Sequence, residues 1–555
     1  MKDINIHFSK NCGFRWSSLN TRKYKIFVKG FGFKDEKYFK DEKIGNLFKP
    51  PAEKSSNKHL FENFIEIVKA MNGNFAVVIE GNNWLFASVD RVRSFPLFYG
   101  KKKHKFFISD DAYWVREQVG DNQIDKLASI EFLLTGYVTG SDTLFPNVKQ
   151  LQAGESLFVK KIQDEGFKFN TIRYYRYIYD NLFKESQETL LRYFDQILID
   201  VFQRLIQSTH GYDLVVPLSG GLDSRLVVMM LKRLGCKNIR CFSYGYLGNW
   251  ESKISKQVAN KLGYKWFFVP YSRKSWYYWF HSRELREYYR YANNLSSLAH
   301  LQDWSAVWEL KKRKLISENS IFVPGHTGDF ISGRHIPLNF FHLKEINKNT
   351  LVQAIWKKHY SLWKWSSFRN RLEPILYNRV LSRIGYDLPY RTPEEAASAY
   401  ECWEWQERQS KFICNSVRVY EFFGYKWRIP LWDLKIMNFW KRVPLCYKKD
   451  QNLYRRFVNK IAHDLNIKVY APSYITLIID KCERIFDSRY GRFNGNLSFP
   501  SYLNLKLKDI LKITDEMPEF VRKLSHRNIY FINLIGLISL YQLEYIRSYT
   551  KQYSS

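Results

Sequence analysis

The sequence predicts an α/β fold, in which a β-rich N-terminal half is followed by a doubly wound parallel sheet with helical additions. Two patterns in the 555 residues support it. In the first half, short runs of β-branched and aromatic residues are separated by turn residues, which is typical of strands and hairpins. From residue 187 onward, helical periodicity alternates with short apolar runs, which is typical of parallel strands linked by crossover helices.

The strands of the N-terminal half are predicted from their composition and alternation. They are placed at residues 24–28, 75–79, 84–87, 105–108 and 151–159. Gly81-Asn82-Asn83 is a hairpin signal between two of them. No cluster of charged residues in this half suggests a catalytic site by itself.

The second half begins with a helix over residues 187–207, where apolar residues recur at helical spacing. The following strands are predicted at residues 215–218, 239–244, 265–269 and 320–323, with helices at residues 223–234 and 251–262. In parallel sheets of this kind, ligands bind at the carboxyl ends of the strands. We therefore expect a functional site where these strands end.

The first such strand end is the loop Ser219-Gly220-Gly221-Leu222-Asp223-Ser224. Its two glycines let successive N–H groups point into one concavity, and the helix that follows favours an anion at its start. Ser219 and Ser224 add hydroxyl donors, and Asp223 is placed to hold a divalent cation between phosphates. No Gly-Lys-Ser/Thr follows, so this is not a Walker loop. We interpret it as an ATP pyrophosphate site; the alternative is a glycine turn without a ligand.

A second glycine-rich strand end, residues 324–335, follows the strand at residues 320–323. It carries a second acid, Asp329. Because hard cations prefer carboxylate and phosphate oxygens, Asp223 and Asp329 could share Mg²⁺ on an ATP triphosphate. His326 lies three residues upstream on the same loop, and the alternative for it is a histidine that only hydrogen-bonds the loop backbone.

The length of 555 residues indicates two or three domains. The hydrophobic fraction of 45% excludes a disordered chain. The formal net charge of +33 permits nucleic acid, anionic glycan or membrane-surface partners. The basic residues are spread through the chain, so we favour a lysine-rich solvated surface and do not expect a nucleic acid partner.

The cysteines indicate reduced thiols in a cytoplasmic protein. The seven are scattered, odd in number and without a CxxC pair, which argues against zinc and against a disulfide framework. The N-terminus lacks the apolar region of a signal peptide. Residues 529–546 are apolar and close to spanning length, but interruption by polar residues favours a buried helix over a transmembrane one.

Residues 271–291 interleave aromatic and arginine side chains. A platform for stacking bases has this composition. An amphipathic helix packed on the domain has it too, and we favour the helix because aromatic stripes usually belong to a core.

These features together resemble the asparagine synthetase family over nearly the whole chain. The SGGxDS pyrophosphate loop of that family matches residues 219–224, and its second signature, S-G-E-G-A-D-E-L-F-G-G, aligns without gaps on residues 324–334. Its R-V-P-F-L-D element is similar to residues 428–433. In the N-terminal half the similar segments are residues 72–76, Asp90-Arg91, residues 96–99 and Ala153-Gly154.

The resemblance implies two folds in sequence. Residues 1–178 would form a degenerate glutamine amidotransferase-like domain of the N-terminal-nucleophile (NTN) aminohydrolase type. Residues 187–470 would form a PP-loop domain, similar to adenine nucleotide α-hydrolases, and residues 471–555 a helical extension packed on it. In the PP-loop domain, Leu218, Tyr244 and Gly325 would line the adenosine site.

The chain departs from the family at the residues of its catalytic steps. The glutaminase half of the family needs a cysteine at position 2, where this chain has Lys2, and Cys12 would need a processing step to become N-terminal. The glutamine-binding motifs are not found either. We therefore expect a chain without its own glutaminase activity, somewhat like β-lactam synthetase. In the ligase half, the catalytic glutamate corresponds to His326, and the essential lysine to Gln451, with Lys448 or Lys449 as neighbouring substitutes.

The resemblance implies an ATP-dependent ligase that activates a carboxylate as its adenylate, releases pyrophosphate and forms an amide. Ser219, Gly220, Gly221 and Ser224 would hold phosphates, Asp223 and Asp329 would hold Mg²⁺, and His326 would take a proton from the amine. The acid is aspartate or another acid, such as a sugar acid of a polysaccharide. Nitrogen would come from ammonia, a substrate amine or a partner's product.

Two alternatives stay open. A tRNA-modifying PP-loop enzyme would suit the positive charge, although the lack of CxxC and the amidotransferase-like half count against it. A catalytically inactive scaffold of a biosynthetic complex is the other alternative, and the presence of both Asp223 and Asp329 counts against it.

Overall fold

A computed structural model describes residues 3–9, 13–49, 57–163, 166–362, 369–385, 387–467, 539–543 and 545–548. The strands are β1 (Ile4–His7), β2 (Ser17–Asn20), β3 (Lys25–Lys34), β4 (Lys37–Lys40), β5 (Asn72–Glu80), β6 (Trp84–Val89), β7 (Phe98–Lys102), β8 (Lys105–Ser109), β9 (Lys149–Gln150), β10 (Glu155–Ile162), β11 (Gly166–Arg173), β12 (Asp213–Pro217), β13 (Ile239–Gly245), β14 (Lys265–Pro270), β15 (Ser320–Phe322) and β16 (Lys426–Trp427).

The helices are α1 (Glu42–Leu47), α2 (Asn57–Ala70), α3 (Ala112–Val119), α4 (Lys126–Thr135), α5 (Gln187–Ser208), α6 (Leu222–Arg233), α7 (Trp250–Leu262), α8 (Arg273–His281), α9 (Arg283–Asn293), α10 (Trp304–Lys312), α11 (Gly328–Ile331), α12 (Lys348–His359), α13 (Arg369–Ile384), α14 (Pro393–Glu404), α15 (Arg418–Phe422), α16 (Leu434–Arg442), α17 (Leu445–Lys448) and α18 (Asn452–Asp464). A π-helix, Trp405–Ile413, directly continues α14.

The N-terminal half is built on two sheets. One has the strand order β1-β8-β7-β9, and the other has the order β11-β10-β6-β5-β3-β2, with β4 paired to β3. The hairpin predicted at residues 81–83 joins β5 to β6, which pair in antiparallel register. The predicted strands of this half are therefore confirmed, with bounds that differ by a few residues.

The second half contains a five-stranded parallel sheet in the order β14-β13-β12-β15-β16. The chain moves outward in one direction from β12 to β14, and then returns to the other side of β12 for β15 and β16. Strand order therefore reverses between β12 and β15, and such a switch point is where open α/β sheets bind ligands. The mixed α/β fold with a doubly wound parallel sheet is confirmed.

The two halves meet through a cluster of charged and polar side chains around residues 428–433. Asp433 accepts hydrogen bonds from Arg204 at 2.9 Å and from Asn72 at 3.0 Å, and it also caps α16. Arg428 donates to the Ser208 carbonyl at 2.9 Å and lies over the Phe31 ring. Residues 428–433 thus join β3 and β5 to the second half of the chain.

Residues 271–291 form two helices rather than one. Ser282 ends α8 and accepts the N–H of Leu285 to cap α9, so the chain turns there. On α9, Tyr288 and Tyr289 are fully buried. The packed helical structure that we favoured for this segment is thus confirmed, with two helices in place of one.

The predicted extension at residues 471–555 and Lys2 and Cys12 lie outside the described residues, apart from residues 539–543 and 545–548. Those two short stretches are helical, and Tyr541 packs against Tyr289. Within the described parts of the chain, the helices are all too short or too polar to span a bilayer. The domain boundaries stay a prediction.

Candidate active site

The first loop lies between β12 and α6 and is closed by its own serines. Ser219 donates its N–H to Ser224 Oγ at 3.0 Å, and Gly221 donates its N–H to Ser219 Oγ at 3.1 Å. Gly221 is the N-cap of α6, and no side chain in the described residues caps that helix. The first turn of α6 therefore presents uncapped N–H groups and the positive end of the helix dipole, which together favour an anion.

Glycine is required where the two loops meet, because backbones approach each other closely. A Cβ atom at position 325 would lie 2.5 Å from the backbone nitrogen of Ser224, and one at position 328 would lie 2.4 Å from Asp223 Oδ1. On the other side of the first loop, a Cβ atom at position 220 would lie 2.8 Å from the Trp250 ring. The second loop is thus packed directly on the first turn of α6.

This packing brings the two predicted acids together. Asp329 donates its backbone N–H to Asp223 Oδ2 at 3.0 Å, and Tyr454 donates its hydroxyl to Asp223 Oδ1 at 2.9 Å. Burial, and then the charge of Asp329, raise the pKa of Asp223 to about 7. Two carboxylates that repel each other beside an anion site suit a divalent cation.

In the described part of the chain, no three His, Cys, Asp or Glu side chains are arranged so that they could hold a metal ion by themselves. Mg²⁺ does not need such a cluster, because it is commonly held by one or two carboxylates together with substrate phosphates. Asp223 and Asp329 therefore fit Mg²⁺ that arrives with a nucleotide.

Asp329 is held from its other side by a histidine. His335 Nε2 lies 3.1 Å from Asp329 Oδ2, and His335 Nδ1 lies 2.5 Å from Glu404 Oε1. Burial opposes the charge of His335, but Glu404 and then Asp329 raise the pKa of His335 to about 9. Burial also opposes the charge of Asp329, yet the hydrogen bond from His335 keeps the pKa of Asp329 below its usual value. A protonated His335 thus bridges two carboxylates.

His326 contacts a side chain, not the loop backbone. Its Nε2 lies 3.3 Å from Ser416 Oγ, and its Nδ1 is buried with no hydrogen-bond partner among the described residues. Burial lowers the pKa of His326 to about 4, so the imidazole is neutral near pH 7. A neutral imidazole at this position can accept a proton from a substrate.

The residues predicted to line an adenosine site lie around the first loop. Leu218 is buried and donates its N–H to the Phe242 carbonyl at 2.8 Å, while Gly325 packs on α6. Tyr244 lies at the end of β13, where its hydroxyl donates to Asp303 at 2.6 Å and its ring stacks on Tyr271. Tyr244 would therefore contribute a fixed ring to such a site.

The lysines suggested as substitutes at the family's lysine position are placed differently. Lys448 is fully buried, donates to Glu401 Oε2 at 3.0 Å and lies over the Tyr179 ring. Gln451 donates to Ser332 Oγ of the second loop at 2.6 Å. The ammonium of Lys448 is therefore paired inside the fold.

Sequence reasoning missed three residues that contact the two acids or their support: Tyr454, His335 and Glu404. The sequence contains a signal for Glu404, because Glu401, Glu404 and Glu407 recur within an aromatic segment. In the structure all three are fully buried. Buried carboxylates need partners. The identity of those partners depends on contacts between residues far apart in sequence.

Comparison with known families agrees with this architecture. The family model described as asparagine synthase matches residues 208–277, which include the first loop, and the model described as a glutamine amidotransferase domain matches residues 59–175. The two domains occur here in the order seen in the sequence resemblance. The two matches support the resemblance to the asparagine synthetase family.

The individual relatives of this chain are distant. Asparagine synthetase [glutamine-hydrolyzing] 1 of Bacillus subtilis is 24% identical over 207 residues, which are 36% of this chain and 31% of that protein. The match therefore spans about a third of the relative's length.

Two solved structures are similar over parts of the chain. An NH3-dependent NAD synthetase from Campylobacter jejuni is 13% identical, with coverage of 27% of this chain and 61% of that chain and a TM-score of 0.18. A glutamine phosphoribosylpyrophosphate amidotransferase from B. subtilis is 11% identical, with coverage of 45% and 72% and a TM-score of 0.20. Scores this low add nothing to the fold assignment, which stands on the sheet topology.

Proposed function

We propose that this chain is an ATP-dependent ligase that activates a carboxylic acid as its adenylate, releases pyrophosphate and forms an amide. One observation carries the proposal: Asp223 and Asp329 meet at the switch point of the sheet, beside the uncapped start of α6. An anion site and two acids in contact suit a magnesium-bound triphosphate. Activation is needed because a carboxylate is a poor acyl donor, whereas AMP is a good leaving group.

In this proposal the first loop binds the phosphates that leave. The N–H groups of Gly220 and Gly221 and the hydroxyls of Ser219 and Ser224 would donate to phosphate oxygens, the Gly221 N–H in exchange for its hydrogen bond to Ser219 Oγ. Asp223 and Asp329 would hold Mg²⁺, which when bound neutralises charge on the departing pyrophosphate. The raised pKa of Asp223 supports this role, since a cation would offset the repulsion from Asp329.

The amide-forming step would take place near His326. The family's glutamate is replaced here by an imidazole that is neutral near pH 7, so His326 would accept a proton from the amine as the new bond forms. This loss of a negative charge removes a partner for a substrate ammonium group. The change supports an acid other than aspartate, such as a sugar acid, without excluding aspartate.

The nitrogen source is a further part of the proposal, and the N-terminal half bears on it. Position 2 is Lys2, which cannot act as a thiol nucleophile. We propose that residues 1–178 are an amidotransferase-like domain without glutaminase activity, and that ammonia, a substrate amine or a partner's product supplies the nitrogen. Residues 187–470 would form the ATP-binding domain.

The test is a screen of carboxylic acids for stimulated pyrophosphate release by the full chain with Mg²⁺ and ATP. Aspartate and uronic acids are the first candidates, each with ammonia as the nitrogen source. An acid that stimulates release supports the proposal. Exchange of pyrophosphate into ATP that is stimulated by tRNA alone would instead favour a tRNA-modifying enzyme, and failure to bind Mg-ATP would favour a scaffold.

A further inference from the structure

Glu404 lies where α14 gives way to the π-helix Trp405–Ile413. A π-helix bonds residue i to residue i+5, so side chains five positions apart come onto one face. Ser410 Oγ accordingly donates to the carbonyl of Trp405 at 2.7 Å, and Gln409 Nε2 donates to Glu404 Oε1 at 3.0 Å. In a continuous α-helix, Gln409 would point away from Glu404.

Through these neighbours Glu404 reaches two points of the second loop. Gln409 Oε1 accepts the Thr327 hydroxyl at 3.0 Å. His335, which lies 2.5 Å from Glu404, reaches Asp329 Oδ2 at 3.1 Å. The loop is therefore fixed on both sides of the short segment that carries Asp329.

The difference in exposure shows which group needs support. The Asp329 side chain is 43% exposed, whereas that of Glu404 is fully buried. Asp223 repels Asp329 across the site, and that repulsion would drive the exposed carboxylate away from the first loop. The contact with His335 opposes this movement.

We propose that His335 and Glu404 are positioning residues, which hold the Asp329 carboxylate beside Asp223 so that the two acids can share one divalent cation. This inference rests on the proposed function, because it assumes that the cation binds with ATP. In this proposal both residues act through Asp329 and not on the substrate or the reacting atoms. Partners that orient a metal-binding side chain affect metal affinity when they are removed.

The chain offers a matched control in His359. His359 Nε2 also lies on Glu404, 3.8 Å from Oε2, and 3.0 Å from the Tyr400 hydroxyl. Like His335 it is a buried histidine, but among the described residues it forms no hydrogen bond or ion pair with Asp329. A variant at His359 therefore reports the cost of disturbing the Glu404 cluster without freeing Asp329.

The experiment is a titration of the full chain with Mn²⁺ in the presence of a non-hydrolysable ATP analogue, followed by electron paramagnetic resonance. We expect His335→Gln to weaken Mn²⁺ binding by about tenfold or more, and His359→Gln to leave it within about twofold. In an Asp329→Asn background, His335→Gln should have no further effect, because the two residues would act through one contact. Melting curves verify folding, and His335→Asn replaces the glutamine variant if that one does not fold.

Three outcomes overturn the proposal. Unchanged Mn²⁺ affinity in folded His335→Gln means that His335 does not position Asp329. An equal loss in His359→Gln, or an additive loss in the double variant, means that the cluster only stabilises the fold. If the wild-type chain does not bind Mn²⁺ with the analogue, the proposed function itself fails. If the wild type binds Mn²⁺ and the His335 variant binds it equally well, only the positioning role fails.

Discussion

The two loops of the candidate site are held in different ways. The first loop is closed by hydrogen bonds among its own six residues, in which Ser219 pairs with both Gly221 and Ser224. The second loop is held by side chains from the helical region that follows it. Ser416 contacts His326, which lies 90 positions earlier in the sequence, and Gln409 contacts Thr327, which lies 82 positions earlier.

The two loops therefore differ in what a substitution can disturb. A change in the first loop breaks hydrogen bonds within that loop, whereas a change in the helical region breaks contacts of His326 and Thr327. The residues similar to the family's pyrophosphate motif lie in the first loop, and His326, which stands where the family has a glutamate, lies in the second.

The largest effect is expected for Asp223→Asn, which tests the first loop. Loss of a metal-binding carboxylate should lower pyrophosphate release by about a thousandfold. The fold should tolerate the change, because the folded-state pKa of Asp223 is raised from 3.8 to about 7.

The sign of the stability effect follows from that shift. Between these two values the folded chain binds more protons than the unfolded chain, so ionisation of Asp223 costs stability as the pH rises through that range. The asparagine variant should therefore melt at the same or a higher temperature than the wild type at about pH 8, and gain less at about pH 4. Turnover like that of the wild type would contradict the assignment of Asp223.

His326→Gln tests the second loop and should separate the two chemical steps. Removing a proton acceptor should slow amide formation by about a hundredfold, while acid-dependent exchange of pyrophosphate into ATP stays near the wild-type rate. Both rates are measured with the acid found in the screen. An equal loss in both rates would show that His326 serves the activation step.

Gly325→Ala tests the contact between the loops, with the smallest expected effect. Its Cβ atom would lie 2.5 Å from the Ser224 backbone nitrogen, so the loops must separate, at a cost of about 1–3 kcal/mol in unfolding free energy. Gly45→Ala in α1 is the control, because its nearest contact would be an ordinary 3.6 Å. Denaturant unfolding measures both variants, and equal stability of the two would contradict the close packing.

The fold and the first loop could be predicted because their signals are local. The strand, the glycines and the helix around Asp223 lie within about twenty residues, and the observed α6 begins at Leu222, next to the predicted start. The meeting of Asp223 and Asp329 could also be predicted, since both follow strands of one parallel sheet.

The support of the second loop could not be predicted. His335 and Glu404 are 69 positions apart, and Gln409 reaches Glu404 only because the helix is of the π type. Helical periodicity of 3.6 residues places Gln409 on another face. The contact between Arg204 and Asp433, which links the two halves, could not be predicted either, because the two residues are 229 positions apart.

We propose above that the two loops form one site, which splits ATP between its α and β phosphates. The most direct measurement is to incubate the full chain with Mg²⁺, ATP labelled at the α phosphate, and the acid that the screen identifies, and to separate the nucleotide products. We expect labelled AMP and an equal amount of pyrophosphate. Labelled ADP with free phosphate would contradict it.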